Sequence, residues 1–257
     1  NELELPLSDR PSAPMLTPIP GDLRRFDEIF KLLGTSKKVA LLAGQGAQGA
    51  GDSLQKLAEW LQAPVLITTS GRGVLPEDHP LAFPLDRLND AWDIINELIS
   101  SCDLILALGV KLGHNGTGGF KLQLPKEKLV HVDAAAHVLD ANYPARMSVK
   151  GDVTEFVHWI LRRRDDVPER ALAWNLGELQ AWRGKFATAS PQGVEPRING
   201  VSPSTPQAFF SAMRRALPRH GVLVTDSGLH QFLARRYFSV LSQRALLCPT
   251  DFQSMGF

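Results

Sequence analysis

Short uninterrupted apolar runs alternate along the chain with stretches in which apolar residues recur every three or four positions. Such runs are typical of strands buried on both faces of a parallel sheet, and the recurring pattern indicates helices that bury one side. The predicted strands are 39–43, 65–69, 103–108 and 129–133 with an edge strand at 147–150, and the predicted helices are 21–33, 54–61, 90–101 and 153–164. The fold class predicted is α/β, a Rossmann-like parallel sheet with helices on both faces.

A second, shorter unit is predicted after the composition changes near residue 165. A helix is expected at 169–186 and a Pro- and Gly-rich linker at 190–204. A helix capped by Ser204 or Thr205, with Phe209 and Phe210 on its core face, then precedes a buried strand at 221–225. So few strands do not make a complete domain. We therefore divide the chain into a linker (1–20), a central nucleotide-binding-like domain (21–165), a helix and linker (166–203) and a truncated second α/β unit (204–257).

Three glycines follow the first strand in the order G-x-G-x-x-G, at Gly44, Gly46 and Gly49. This spacing is typical of a turn where a helix N-terminus, with Asp52 or Ser53 as cap, receives a phosphate. Glycines also serve simply to permit a tight turn, and both interpretations stay open. A dinucleotide site has an acidic residue about 20 positions further on. Residues 68–70 are Thr, Thr and Ser, which disfavours ordinary NAD binding.

Other candidate nucleotide ligands stand where predicted strands end, because ligands of parallel sheets gather there. Gly109 ends one strand and opens a glycine-rich loop. Asp133 ends the next strand and is suited either to a ribose hydroxyl or to capping a turn. Asp152 precedes a helix, where an N-cap is the favoured interpretation and a ligand contact the alternative. His114 in the glycine-rich loop is interpreted as a solvated side chain, and His131 within its strand as structural.

Charge and composition narrow the classes of partner. The 257 residues carry a net charge of +1, so no strong field attracts nucleic acid or an acidic membrane surface. No apolar run approaches the roughly 20 residues needed to span a bilayer, and no signal peptide opens the chain. Cys102 and Cys248 stand in apolar contexts that predict buried thiols in a reducing compartment, which favours the cytoplasm. The first residue is Asn1 rather than Met, which suggests a cut chain.

Several motifs occur in an order that resembles a known family. They are TTSGRGVLPEDHP, the strand DLILALG with its glycine-rich loop, the strand VHVD, and GDV before a helix. Their order resembles the central domain of thiamine-diphosphate-dependent enzymes of the acetolactate synthase type. PSTPQAFFSAMRRAL, VLVTDSGLHQF and QSMGF look like the opening of the family's cofactor-binding third domain. The resemblance covers nearly the whole chain from Gly21.

The resemblance implies a reaction and a set of cofactor contacts. In such enzymes a 2-keto acid loses carbon dioxide on the cofactor, and an aldehyde or second keto acid captures the product. Gly228, His230 and Gln231 match the family's G-x-H-Q turn near the diphosphate. Met255, preceded by Ser254, matches the methionine that holds the cofactor in its bent shape. The alternatives are an ordinary core role for Met255 and a plain helix-start role for His230.

Two parts that the family needs do not occur in this sequence. The glutamate that protonates the pyrimidine belongs to the domain before Asn1, and the G-D-G…N segment that holds Mg²⁺ would come after Phe257. The sequence therefore supplies no catalytic residue and no metal ligand, although the parent protein would use thiamine diphosphate and Mg²⁺ as a homodimer or homotetramer. We expect the chain alone to be inactive. Mixed with thiamine diphosphate, Mg²⁺ and pyruvate, it should release carbon dioxide no faster than the free cofactor.

The resemblance also bears on flavin. Acetolactate synthases bind FAD through a loop rich in Gly and His after the second strand, and here residues 81–92 contain no glycine. Phe83, Arg87 and Trp92 are predicted to stand where that loop lies. We therefore expect the purified protein to be colourless, and a copurifying absorbance band near about 450 nm would contradict this. Binding of ADP or another adenine nucleotide without flavin stays open.

Two hypotheses follow. The first is an enzyme, in which the chain is part of a thiamine-diphosphate-dependent carboligase or decarboxylase acting on 2-keto acids. The second is a nucleotide-binding module without catalysis, related in fold to deoxyhypusine synthase-like or electron-transfer flavoprotein domains. A self-sufficient module has no reason to carry residues 204–257, which favours the enzyme.

Overall fold

The computed structural model describes residues 21–87, 92–167, 174–189 and 205–256. Its main body is a six-stranded parallel sheet flanked by helices. The strands are β1 (Val39–Ala43), β2 (Val65–Ile67), β3 (Ala82–Pro84), β4 (Leu104–Leu108), β5 (Leu129–Asp133) and β6 (Met147–Lys150). The helices are α1 (Leu23–Thr35), α2 (Gly51–Leu61), α3 (Trp92–Ser101), α4 (Val153–Arg162) and α5 (Leu176–Ala189).

The strand order is β3-β2-β1-β4-β5-β6, and all neighbouring pairs are parallel. Leu41 of β1 stands opposite Val65 of β2, so the predicted parallel pairing of these strands is confirmed. The chain moves outward from β1 to β3 and then crosses back to β4, and because α2 and α3 belong to crossovers that run in opposite directions, right-handed connections place these two helices on opposite faces. Helices α1 and α2 accordingly contact α4, whereas α3 contacts α5. The Rossmann-like α/β fold predicted from the sequence is confirmed.

The core is densest around β1, β4 and β5, in which every residue is buried. Each flanking helix adds one apolar stripe. In α1 the ring of Phe26 lies edge-on to Phe156 of α4, with centroids 5.0 Å apart. Strands buried on both faces are mostly apolar along their length, and the short apolar runs of the sequence located these three, although β5 also buries His131 and Asp133.

One strand was missed. β3 spans Ala82–Pro84, a segment for which the pattern of the sequence predicted no strand. It has only three residues and stands at the edge of the sheet, where Pro84 is tolerated because one side of the strand needs no hydrogen-bond partner. A run this short has too few positions to establish a period.

Two predicted element starts were also wrong. Helix α2 begins at Gly51, after a six-residue 3₁₀ turn, so Asp52 and Ser53 lie inside its first turns and cap nothing. The described part of α5 begins at Leu176, and Trp174 before it is buried outside the helix. The first two residues of the helix predicted at 90–101 and the linkers at 1–20 and 190–204 lie outside the described residues.

The second unit comprises α6 (Pro206–Ala216), β7 (Leu223–Val224), α7 (Leu229–Tyr237) and β8 (Leu246–Leu247), with β7 and β8 parallel. The hydroxyl of Thr205 accepts a hydrogen bond from the amide of Ala208 at 3.3 Å, which confirms the predicted cap. The predicted buried strand is wrong, because only alternate residues of this small sheet face the core and Val224 is 56% exposed. Phe209, expected in the core, is half exposed, whereas its neighbour Phe210 is buried.

A buried ion pair joins the second unit to the main sheet. Arg72 donates to both carboxylate oxygens of Glu77, at 2.5 and 2.9 Å, and both side chains are only 1% exposed. The same guanidinium donates to the carbonyls of Arg235 at 2.5 Å and Phe238 at 2.6 Å, at the end of α7. Glu77 also accepts from the amide of Val240 at 3.1 Å. This set of contacts, which we term the Arg72–Glu77 junction, fixes the end of α7 against the central sheet.

Candidate functional site

A pocket of about 440 Å³ opens at the carboxyl ends of β1, β2, β4 and β5, where the strand order reverses, and we term it the strand-end pocket. A crevice forms there because the loops after β1 and β4 turn to opposite faces. Four of the predicted nucleotide-binding residues line it: Gly44, Gly46, Gly109 and Asp133. The other two, Gly49 and Asp152, do not.

The glycines of the pocket floor hold two loops together. The amide of Gly44 donates to the carbonyl of Leu108 at 3.1 Å, and the amide of Gly46 donates to the carbonyl of Gly109 at 3.0 Å. A Cβ on Gly46 would lie 2.7 Å from the Cα of Gly109, too close for any side chain. The amides of Gly44 and Gly46 are thus used within the protein, which favours the tight-turn interpretation over a phosphate cradle at these two residues.

Gly49 and Asp152 serve the packing of α4. A Cβ on Gly49 would lie 3.1 Å from the hydroxyl of Thr154, so the glycine allows α4 to approach the turn after β1. The carboxylate of Asp152 accepts from the amides of Thr154 at 2.7 Å and Glu155 at 3.1 Å. Asp152 is therefore the N-cap of α4, the interpretation that the sequence favoured.

Asp133 forms a turn and also lines the strand-end pocket. Its Oδ1 accepts from the amide of Ala135 at 2.8 Å and so forms the turn after β5. The side chain also lines the pocket and is largely buried. A carboxylate at this place is available to a ligand hydroxyl without giving up the turn.

His131 holds the loop after β4, which lines the strand-end pocket. Its ring is fully buried in β5, and Nε2 donates to the carbonyl of Val110 at 2.8 Å. Burial lowers the pKa of His131, so the ring stays neutral and keeps its proton on the nitrogen that holds the loop after β4. The structural role predicted for this residue agrees with its position.

Residues of the second unit also line the strand-end pocket, which no pattern in the sequence predicted. Arg235, Thr250 and Asp251 line it from that side. Asn115 donates through Nδ2 to the carbonyl of Thr250 at 2.8 Å, and Lys111 pairs with Asp251 at 2.7 Å. The partners of these two contacts are 135 and 140 positions apart in the chain, and only the fold brings them together.

The segments resembling the G-x-H-Q turn and its downstream methionine lie side by side. Asp226 accepts hydrogen bonds from the amide of Gly256, at 2.8 and 3.0 Å to its two oxygens, and from the amide of Ser227 at 2.7 Å. The hydroxyl of Ser227 donates to the carbonyl of Gln253. Gly228 has φ +140°, a conformation that favours glycine, and no side chain caps α7 after it. The structure thus joins two motifs that are well separated in the sequence.

The side chains of these motifs divide into an outer and an inner set. His230, Ser254 and Met255 are exposed, Met255 by 86%, so a core role for this methionine is excluded. Gln231 is fully buried and donates through Nε2 to the carbonyl of Pro249. Its Oε1 is buried without a hydrogen-bond partner among the described residues. Gln231 therefore shapes the turn from inside, and His230 is the residue presented outward.

Two of the residues predicted at the flavin position, Phe83 and Arg87, make contacts within the protein. Phe83 is buried in β3 and lies edge-on to Phe186 at 5.5 Å between centroids. Arg87 donates to the hydroxyl of Ser239 at 2.8 Å. Neither these two side chains nor Trp92 lines the strand-end pocket.

Within the described ranges, no three His, Cys, Asp or Glu side chains are grouped so that they can hold a metal ion. Across the same ranges, no helix has the length and apolar character needed to cross a membrane.

Known proteins resemble this chain over most of its length. A probable acetolactate synthase large subunit of Methanocaldococcus jannaschii is 26% identical over 235 residues, which are 88% of this chain and 38% of that protein. A probable 2-ketoarginine decarboxylase of Pseudomonas aeruginosa is 28% identical over 232 residues, 88% of this chain and 38% of its own length. A sulfoacetaldehyde acetyltransferase of Roseovarius nubinhibens is 28% identical over 256 residues, 92% of this chain and 42% of its own. The chain spans about two fifths of the length of these relatives.

A family model described as the central domain of thiamine pyrophosphate enzymes matches residues 26–160. The matched region contains all six strands of the main sheet and the turn after each of them. The chain therefore belongs to the family of thiamine pyrophosphate enzymes.

Proposed function

We propose that this chain is part of a thiamine-diphosphate-dependent enzyme that decarboxylates 2-keto acids and transfers the resulting acyl unit, as a lyase or a transferase. The observation that carries the proposal is the pairing of the G-x-H-Q turn with residues 253–256 through Asp226. The names of the relatives, a synthase, a decarboxylase and an acetyltransferase, support the same reaction class. Residues 21–165 would then form the central domain, and residues 204–257 would contribute to the cofactor site.

The turn fits the cofactor on the side that this chain supplies. Gly228 leaves the positive end of α7 without a side-chain cap, and such an end attracts the oxygens of a diphosphate. His230 is exposed beside it and offers a hydrogen-bond donor. Met255 exposes a thioether that can support the rings of the cofactor. Thiamine diphosphate, when bound with Mg²⁺, supplies the nucleophilic carbon and the electron sink that decarboxylation of a 2-keto acid requires.

In this proposal the residues of the chain bind the cofactor and orient it. Asp226 holds the turn and residues 253–256 together, so that His230 and Met255 stay at fixed positions. Gln231 braces the turn from inside through the carbonyl of Pro249. The chain contributes no proton-transfer group that we assign. The alternative of a nucleotide-binding module without catalysis receives no support from the relatives, although ADP in the strand-end pocket is compatible with an enzyme.

Replacing His230 by alanine should weaken binding of thiamine diphosphate by about tenfold to a hundredfold, since a hydrogen bond to a charged group contributes about 1.5–3 kcal/mol. The measurement is calorimetric titration of the parent protein with thiamine diphosphate and Mg²⁺. It is paired with an assay of carbon dioxide release from a panel of 2-keto acids. His220→Ala is the matched control, because His220 is also exposed in the second unit but lies outside the turn. The proposal fails if the parent protein, of which this chain is a part, decarboxylates no 2-keto acid in the presence of the cofactor.

We further propose an oligomer in a reducing compartment such as the cytoplasm. Large apolar side chains are exposed on the second unit, among them Val224, Leu247 and Phe252, which is 96% exposed, and a partner subunit would cover them. Both cysteines are free thiols, and burial raises the pKa of Cys102 to about 12, so it does not react as a thiolate. Sedimentation of the whole protein would distinguish a dimer or tetramer from a monomer.

A further inference from the structure

A second cavity, of about 400 Å³, lies beside α7 next to the strand-end pocket, and Arg235 is among the residues that line both. Its volume is in the range of small-molecule sites. Arg235 of α7 lines it together with four further residues of that helix: Leu229, Phe232, Leu233 and Arg236. These four positions follow the spacing i, i+3, i+4 and i+7, so they form one face of the helix. Leu85 and Trp92 line the opposite side.

The apolar part of the lining is partly uncovered. Phe232 is 49% exposed and Leu229 is 74% exposed, although both belong to the cavity lining. The ring of Trp92 lies directly on Gly118, where a Cβ would be 2.0 Å from ring atom Cζ2. Gly118 has φ +60°, so its backbone also favours the absence of a side chain. The aromatic wall is therefore held in place by the loop beneath it.

The two arginines of the lining differ in their partners. Arg235 donates to Asp86 at 2.8 Å and to the hydroxyl of Thr69 at 2.9 Å, so its charge is matched. Arg236 forms no hydrogen bond or ion pair through its side chain with any residue that the structure describes, and its Nε is buried. Arg236 nevertheless lines the cavity, so its charge has no anion to balance it there, and a ligand carboxylate would supply one.

We propose that this cavity binds a small organic monocarboxylate with an apolar body, such as an aryl or branched-chain acid. The carboxylate pairs with the guanidinium of Arg236, whose planar fork suits two oxygens. The apolar body lies between Trp92 and Phe232 and covers their exposed surface. A dianion such as a phosphate ester is disfavoured, because Asp86 also lines the cavity and Arg236 is the one cation of the described lining that has no anionic partner.

The probe for this site is 3-phenylpropanoate, titrated calorimetrically into the protein without thiamine diphosphate. Two analogues separate the two halves of the site: acetate has the charge without the apolar body, and 3-phenylpropanamide has the body without the charge. We expect 3-phenylpropanoate to bind at least tenfold more tightly than either. Equal binding of the amide, or no binding of the acid, would overturn the proposal. Because the titration needs neither cofactor nor turnover, its outcome is independent of the proposed enzymatic reaction.

Variants of two lining residues test whether 3-phenylpropanoate binds in this cavity. Arg236→Gln should weaken 3-phenylpropanoate at least tenfold, whereas Arg215→Gln, an exposed arginine of α6 outside the cavity, should leave it unchanged. Phe232→Ala should weaken it at least threefold, and its ring is exposed enough that the fold does not depend on it. Unchanged affinity in both Arg236→Gln and Phe232→Ala would place the acid elsewhere and refute the assignment.

Discussion

Replacing Arg72 by methionine is expected to lower the free energy of unfolding of the chain by about 3–5 kcal/mol, because it leaves a buried carboxylate without its partner. Glu77 is 1% exposed, and its other cation, the guanidinium of Arg87, is at 3.4 Å. The carbonyls of Arg235 and Phe238 lose their donor at the same time. Urea unfolding followed by far-ultraviolet circular dichroism measures the loss as a lower midpoint.

Arg219→Met is the matched control for this change. Arg219 also joins the second unit to the main sheet through a two-pronged pair with Asp78, at 2.6 and 3.0 Å, but both side chains are about half exposed. Exposed pairs contribute about 0–1 kcal/mol, so the control should shift the midpoint little. Equal losses in Arg72→Met and Arg219→Met would contradict the role assigned to burial. The double variant Arg72→Met with Glu77→Leu should regain part of the loss, since it removes the unpaired charge as well.

The junction also connects the two candidate sites. Arg72 binds the carbonyls at the end of α7, and the same helix begins at the G-x-H-Q turn. Arg235, in the middle of that arrangement, lines both cavities. The central sheet thus supports α7 at its end, and through this helix it supports the G-x-H-Q turn at the other end.

The strands of the main sheet were predictable to the extent that they are buried on both faces. β1 and β4 are apolar at every position, and β5 is apolar except for His131 and Asp133, so these buried runs are visible in the letters of the sequence. β3 has three residues at an edge, and β7 buries only alternate positions of a two-residue strand. In both cases the segment is too short for its pattern to be separated from that of a loop.

The candidate site was predictable in position but not in its contacts. The strand ends correctly indicated where a pocket would open, and Gly44, Gly109 and Asp133 do line it. The glycine motif did not reveal that the amides of Gly44 and Gly46 would be used by Leu108 and Gly109, at the distant end of β4. Such long-range partners depend on strand order, and no local spacing encodes them.

Two glycines that line the strand-end pocket, Gly109 and Gly113, differ in how closely other atoms approach them. A Cβ on Gly109 would lie 2.5 Å from the Cα and carbonyl carbon of Gly46 and 2.7 Å from the amide of Ala47. These are backbone atoms, which cannot turn aside as a side chain does. Gly109 also has φ +60°. A Cβ on Gly113, in the same rim, would meet no atom within 4 Å.

Gly109→Ala is therefore expected to lower the free energy of unfolding by about 2–5 kcal/mol, through strain of the left-handed backbone and overpacking against the turn after β1. Gly113→Ala should stay within about 0.5 kcal/mol of the parent chain. Urea midpoints of the two variants, measured side by side, test this difference. If the glycines of this pocket served only to leave room for a nucleotide, both variants would fold equally well and differ only in ligand affinity. A normal midpoint for Gly109→Ala would therefore refute the close packing of the two loops.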